Sequence, residues 1–256
     1  MSAISPRTVL ITGAARRIGR ALAEGLARDG WRVAVHVHGS TGDAESTVHA
    51  IRAHGGVAEV VEADLSDHRA VANLVPAAAA KLGPLGALIN NASIFERDEI
   101  DTVTAATWNS HLDVNLKAPL FLCQSFARQL PAHGSGAIIN IVDQRVWNLT
   151  PHFVSYTVSK AGLWTLTQTL ALALAPRIRV NAIGPGPVLP SPRQNAEQFA
   201  AQARATPLGR GATPGEICDA ARYILAAPAM TGQMIALDGG QHLGWGQVPR
   251  GAPVED

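Results

Sequence analysis

The chain has 256 residues, 47% of them hydrophobic, with 21 Lys and Arg against 20 Asp and Glu for a formal net charge of +1. That length suits one large α/β domain or two small ones with a substantial core, and the charge balance gives no electrostatic case for nucleic acid or an anionic membrane as partner. Cys123 and Cys218 lack metal-ligand spacing, no apolar run approaches the roughly 20 residues of a membrane span, and the start has no signal-peptide pattern, so a cytoplasmic protein in a reducing compartment is expected.

Thr8 to Ile11 is an apolar, β-branched run broken by Thr12-Gly13, and from Ile18 the residues Ala21, Leu22, Gly25 and Leu26 recur at helical spacing up to Gly30. Strand, glycine turn and helix in that order are the context of a dinucleotide fingerprint, which here reads Thr12-Gly13-Ala14-Ala15-Arg16-Arg17-Ile18-Gly19. Gly13 allows the tight turn, Gly19 allows close packing of helix on strand, and the free N–H groups at the helix start face a pyrophosphate. The middle glycine position holds Arg17, so by itself the pattern also fits a plain βα turn. A second strand, Trp31 to Val37, ends in His38-Gly39-Ser40 without the acidic residue that holds ribose hydroxyls in NAD-binding units. Arg16, Arg17, His38 and Ser40 offer cations and donors suited to a 2′-phosphate, which points to NADPH/NADP+ as cofactor. His36 and His38 occupy alternate strand positions with no third ligand in view, so a metal site is not expected.

The alternation continues with a helix over 45–54, a strand over 57–63 followed by Asp64-Leu65 on the adenine side, a helix over 68–82 and a strand over 85–89 that stops at Asn90-Asn91-Ala92-Ser93. One long helix is predicted over 105–130, containing Asn115, and a strand over 137–142 precedes Asp143. Next come a helix to Leu174, a strand over 178–183 ending near Pro185-Gly186, and a polar, Pro-rich segment at 187–210 with a helical middle over 196–205, placed to cover a substrate. A helix over 214–226 and a strand over 234–237 close the pattern. Strands alternating with helices predict one domain over 1–243, a doubly wound parallel sheet of about seven strands with helices on both faces. Residues 244–256 read as a Gly/Pro-containing polar tail.

Tyr156 and Lys160 stand four apart in the predicted helix, one turn apart on one face. An ammonium beside a phenol favours phenolate, so Lys160 is expected to lower the Tyr156 pKa and make it a general acid. Together, the Thr12-Gly13 turn, Asn90-Asn91-Ala92, Asn115, Tyr156/Lys160, Asn181 and Pro185-Gly186 resemble the short-chain dehydrogenase/reductase family, a Rossmann-like fold, in order and approximate spacing over nearly the whole chain. The resemblance implies that Lys160 also holds the nicotinamide ribose and that Asn115 anchors a proton-relay water. It further implies that the helices over 105–130 and 156–174 pack against symmetry mates in a homodimer or homotetramer, in line with apolar residues on several faces of the latter.

Arg17, Ser93 and Asp143 replace the Gly, Gly and Ser of most members and resemble the pteridine reductase and dihydromonapterin reductase subgroup, as do Phe95 and the run from Leu237 to Leu243. Gly39, where an arginine often holds the 2′-phosphate, does not fit that subgroup. A ketone reductase develops alkoxide charge that an ionised Asp143 would repel, whereas an imine nitrogen needs a proton and a pterin carries N–H donors seeking acceptors. Ser93 offers a bond to a pterin edge or a cofactor phosphate. Phe95 either stacks on a bicyclic ring or packs in the core. The expected activity is NADPH-dependent reduction of a pterin-like C=N substrate. The alternatives are a carbonyl or 3-oxoacyl thioester reductase and a non-catalytic NADP(H)-binding protein.

Overall fold

Seven short strands are β1 (Thr8–Ile11), β2 (Arg32–Val37), β3 (Val57–Glu62), β4 (Ala87–Asn90), β5 (Gly136–Ile141), β6 (Ile178–Pro185) and β7 (Met234–Leu237). All pair in parallel in the order β3-β2-β1-β4-β5-β6-β7. The computed structural model describes Ile4, residues 6–191 and residues 193–244, so beyond Gly244 the expected tail lies outside the described residues. Helices α1 (Arg17–Arg28), α2 (Thr41–Ala53), α3 (His68–Leu82), α4 (Ala105–Leu112), α5 (Ala118–Gln129), α6 (Val154–Leu174), α7 (Ala196–Arg204) and α8 (Pro214–Ala226) make the connections.

A strand covered on both faces alternates its side chains between two cores, and these do. Val9, Ile11, Val33, Val35, Ile89 and Ile139 join Leu22 and Leu26 of α1 and Ile217 and Ile224 of α8 on one face. Leu10, Ala34, Leu88 and Ile138 join Leu74 of α3 and Leu122 and Phe126 of α5 on the other. Local signals explain why several predicted boundaries hold. Asp67 accepts from the Arg69 N–H to cap α3, and Thr213 and Glu216 form a capping box with Pro214 at the first position of α8.

Apart from end shifts of one or two residues, two elements differ from the sequence reading. Helix α2 begins at Thr41, four residues before the predicted start, through a Ser40 whose side chain makes no capping bond. The single helix predicted over 105–130 is two helices joined by a π-helical turn, Asp113–Lys117, and Asn115 sits in that turn. Among the described residues no helix is long and apolar enough to cross a membrane, and no cluster of His, Cys, Asp or Glu suits a metal ion.

Candidate active site

In an open parallel sheet the crevice lies outside the carboxyl ends of the strands, where the order reverses. Here that switch falls between β1 and β4. The chain therefore brings together the residues that follow each strand: Gly13 to Ile18 after β1, His38 and Ser40 after β2, Asp64 and Leu65 after β3, Asn91 to Phe95 after β4, Asp143 after β5, and Pro185-Gly186 at the end of β6.

The glycine turn is held from three sides. Gly13 has φ 63°, and a Cβ on Gly19 would lie 2.1 Å from the Gly13 carbonyl oxygen, so neither tolerates a side chain. The Thr12 hydroxyl accepts from the Asn91 and Ala92 N–H groups, and Asn91 Nδ2 donates back to the Thr12 and Gly13 carbonyls. The Gly13 N–H donates to His36 Nδ1 at 3.0 Å, which leaves His36 Nε2 to donate to the Ala63 carbonyl at 3.1 Å. Burial pulls the His36 pKa down to about 4, the Ala63 bond opposing it, so the ring is a neutral strut beneath the turn. At the start of α1, Arg16 makes no side-chain cap, and the helix N-terminus keeps its N–H groups for an anion.

Arg16, His38 and Ser40 stand on the β2 side, with Arg16 Nε 3.5 Å from Asp43 and His38 Nε2 3.9 Å from Asp64. Asp64 turns one oxygen to the Ser66 N–H and hydroxyl. Asp43, in the first turn of α2, is an acidic neighbour that inspection of the strand end alone misses. Arg17, grouped in the sequence with the 2′-phosphate cations, is turned towards the covering segment here. Its guanidinium donates to the Pro190 and Leu189 carbonyls, at 2.8 and 3.2 Å, and lines the same cleft as Tyr156 and Asp143. Its backbone has φ 54°, a left-handed value that suits glycine and costs a side-chain-bearing residue roughly 1–2 kcal/mol.

The cleft, of about 280 Å³, is lined among others by Arg17, Ile18, Asn91, Ser93, Phe95, Asp143, Tyr156, Lys160, Pro185 and Gly186. Tyr156 Oη donates to Asp143 Oδ2 at 2.9 Å, while Asp143 Oδ1 accepts from the Arg145 N–H at 2.7 Å and so caps a short 3₁₀ turn. Lys160 Nζ donates to the Ile141 carbonyl at 2.9 Å and lies 5.7 Å from the Tyr156 ring centroid. This corrects the expected electrostatics. Burial pushes the Tyr156 phenol well above its ordinary value, the Asp143 charge and hydrogen bond add to it, and Arg145 opposes them. Burial also brings Lys160 down to about 8 against the pull of Asp143. The charge in contact with the phenol is the carboxylate, not the ammonium.

Asn115 accepts from the Ile94 N–H at 2.8 Å and donates to the Ile94 carbonyl at 2.9 Å, and its Nδ2 also reaches Ser159 Oγ at 3.0 Å. Ser93 Oγ donates to Asn115 Oδ1 at 3.2 Å. Phe95, expected either to stack on a ligand ring or to pack in the core, stands at the cleft wall with the Arg193 guanidinium carbon 4.9 Å from its ring centroid. One of its faces stacks on Phe153 with centroids 4.6 Å apart.

The sequence model of the family described as short chain dehydrogenase matches residues 7–201. The chain belongs to the short-chain dehydrogenase family. Two solved structures titled FolM alternative dihydrofolate reductase 1 with NADP resemble this short-chain dehydrogenase. The one from Brucella suis is 47% identical with TM-score 0.92, covering 96% of this chain and 99% of that one. The one from Brucella canis is 45% identical with TM-score 0.91, covering 98% and 100%. A 3-oxoacyl-[acyl-carrier-protein] reductase of Synechocystis is 32% identical over 250 residues, 94% of this chain and 98% of that one.

Sequence reasoning missed several residues of this short-chain dehydrogenase's cleft. Gln144 and Arg145 follow Asp143, and Gln194 and Gln202 come from the covering segment, joined by a 2.9 Å hydrogen bond. Only the position of Gln144 beside Asp143 could have flagged it; the two segment glutamines are paired by the fold of 187–210 around α7.

Proposed function

We propose that this chain is an NADPH-dependent reductase of pterin-like C=N bonds, its substrate a dihydropterin, dihydromonapterin or dihydrofolate. The observation that carries the reading is the Asp143–Tyr156 pair, a carboxylate 2.9 Å from the phenol in the substrate cleft. Alkoxide charge developing there would be repelled by the carboxylate, whereas an imine nitrogen needs a proton and its flanking N–H groups need an acceptor. The similarity to two NADP-complexed proteins titled alternative dihydrofolate reductase points the same way.

The residues fit the cofactor. Gly13, Ile18 and the open N-terminus of α1 suit a pyrophosphate, and Arg16, His38 and Ser40 a 2′-phosphate. Asp64 and Leu65 suit the adenine side, and Asn91, Ala92, Ser93, Lys160, Pro185 and Gly186 the nicotinamide side. NADPH supplies the hydride when bound. Tyr156 delivers the proton to nitrogen, and its raised pKa keeps it protonated across the working pH range. Asp143 orients the phenol and accepts from substrate N–H groups, Lys160 supplies positive charge beneath the site, and Asn115 ties Ser159 to the Ser93–Phe95 loop.

NADPH oxidation with dihydrobiopterin, dihydrofolate, a simple diketone and an acetoacetyl thioester in parallel tests the reading. Tyr156→Phe is expected to lose turnover by about 10²–10⁴ while keeping NADPH affinity. Asp143→Ser is expected to lower activity on the dihydropterins and raise it on the diketone. A wild type that ignores pterins, reduces the thioester and runs faster as Asp143→Ser would replace this reading with a 3-oxoacyl reductase.

A further inference from the structure

Beneath the cleft lies a buried chain of polar groups that the proposed chemistry does not use. Asp98, His111 and Ser155 are each at most 1% exposed. The Glu96 N–H donates to His111 Nε2 at 3.0 Å, which fixes the remaining proton of the neutral ring on Nδ1. His111 Nδ1 then donates to Ser155 Oγ at 2.7 Å, and the Ser155 hydroxyl, its lone pair so occupied, donates to Asp98 Oδ2. Asp98 Oδ1 accepts the Ser155 N–H at 3.1 Å, and the Asp98 carbonyl accepts the Phe153 N–H at 2.7 Å. Burial lowers the His111 pKa, with Asp98 opposing, which agrees with a neutral ring.

The chain joins three segments. Asp98 and Glu96 belong to the loop that carries Ser93 and Phe95, His111 to α4, and Ser155 to the first turn of α6, one residue before Tyr156. One of its members, His111, and a loop neighbour of Asp98, Phe95, also frame the phenol. The His111 ring lies 6.0 Å from the Tyr156 ring, and Phe95, three residues before Asp98, lies 4.6 Å from it in an edge contact. The carboxylate sits on the N-terminus of α6, where an anion is favoured. Phe153, which starts that helix, has φ 59°, a left-handed value for a bulky side chain that surrounding contacts must hold in place.

We infer that Asp98, Ser155 and His111 form a positioning network that sets the depth and angle of Tyr156 against Asp143 and couples it to the Phe95 loop. The inference rests on Tyr156 being the proton donor. Two receptors are needed at Asp98, for the Ser155 N–H and O–H, and an amide offers one oxygen for both.

The test uses Asp98→Asn and Ser155→Ala, each in a Tyr223→Phe background. The chain has only two tyrosines, so Tyr156 is then the sole phenol in an ultraviolet tyrosinate titration. Turnover is followed on whichever substrate the wild type reduces. Each variant is expected to lose about tenfold or more in kcat, as misplaced catalytic groups do, with the NADPH Kd within about twofold of the parent. Tyr156 is expected to ionise about one pH unit or more below the parent as it leaves its buried seat. Should Asp98→Asn fail to fold, Ser155→Ala, which deletes one oxygen, carries the test. A kcat within about twofold of the parent, or an unmoved phenol titration, overturns the inference. Retained turnover in Tyr156→Phe overturns the proton-donor reading and this inference with it. Loss there with parent-like turnover in both network variants overturns this inference alone.

Discussion

His36 offers a quantitative test of how the glycine turn is held. Its Nδ1 accepts the Gly13 N–H and its Nε2 donates to Ala63, so the folded ring has no site for a second proton without breaking the bond to the turn. Its pKa is lowered from 6.5 to about 4, chiefly by burial. Because the folded-state value lies below the unfolded one, the unfolded chain takes up the proton first on acidification. Stability is therefore lost as pH falls from 6.5 towards 4 and changes no further below that. At about 1.4 kcal/mol per pH unit, the full loss is about 3 kcal/mol, with about 2 kcal/mol gone by pH 5. The assay is denaturant unfolding of wild type and His36→Asn between pH 7 and 4.5. The amide oxygen can still accept from Gly13 but does not titrate, and the other acid-titrating groups are common to both proteins. The wild-type advantage over the variant is expected to shrink by about 2 kcal/mol across that range. A difference that stays flat would refute the buried neutral strut.

Three further outcomes are expected. Arg16→Ala should lower the kcat/KM preference for NADPH over NADH by about tenfold. That is the low end for a charge-assisted contact of roughly 1.5–3 kcal/mol, because the exposed Arg16 is shared with Asp43; an unchanged ratio would take it out of the phosphate site. Gly19→Ala should abolish NADPH binding measured by fluorescence, since the added Cβ meets the Gly13 carbonyl oxygen and Asn91 Nδ2, at 2.1 and 2.7 Å, and must displace the turn. Light scattering at micromolar concentration should show a dimer or tetramer, because Leu120 of α5 and Val158 and Leu172 of α6 remain exposed, Leu172 at 84%; a monomer would refute it.

Much of this molecule follows from local signals. The strand–turn–helix order, the caps of α3 and α8 and the alternation of apolar residues are properties of short stretches, so the doubly wound sheet and the glycine turn were legible without coordinates. So was the part of the cleft that follows the strands, because in a parallel sheet the residues after each strand must converge at one edge; Gln194 and Gln202 of the covering segment were not. What the tertiary structure decided depends on partners far apart in the chain. The helix over 105–130 breaks into a π turn where the Asn115 side chain pairs with Ile94 and Ser159. The Arg17 guanidinium bonds the carbonyls at 189 and 190, 172 and 173 residues away in the chain. The Tyr156–Lys160 spacing was visible, but burial and a carboxylate from β5 set the phenol's pKa, in the direction opposite to the one the spacing suggested. Solvation and long-range contact, which determine that direction, are properties of the folded chain and not of any segment of it.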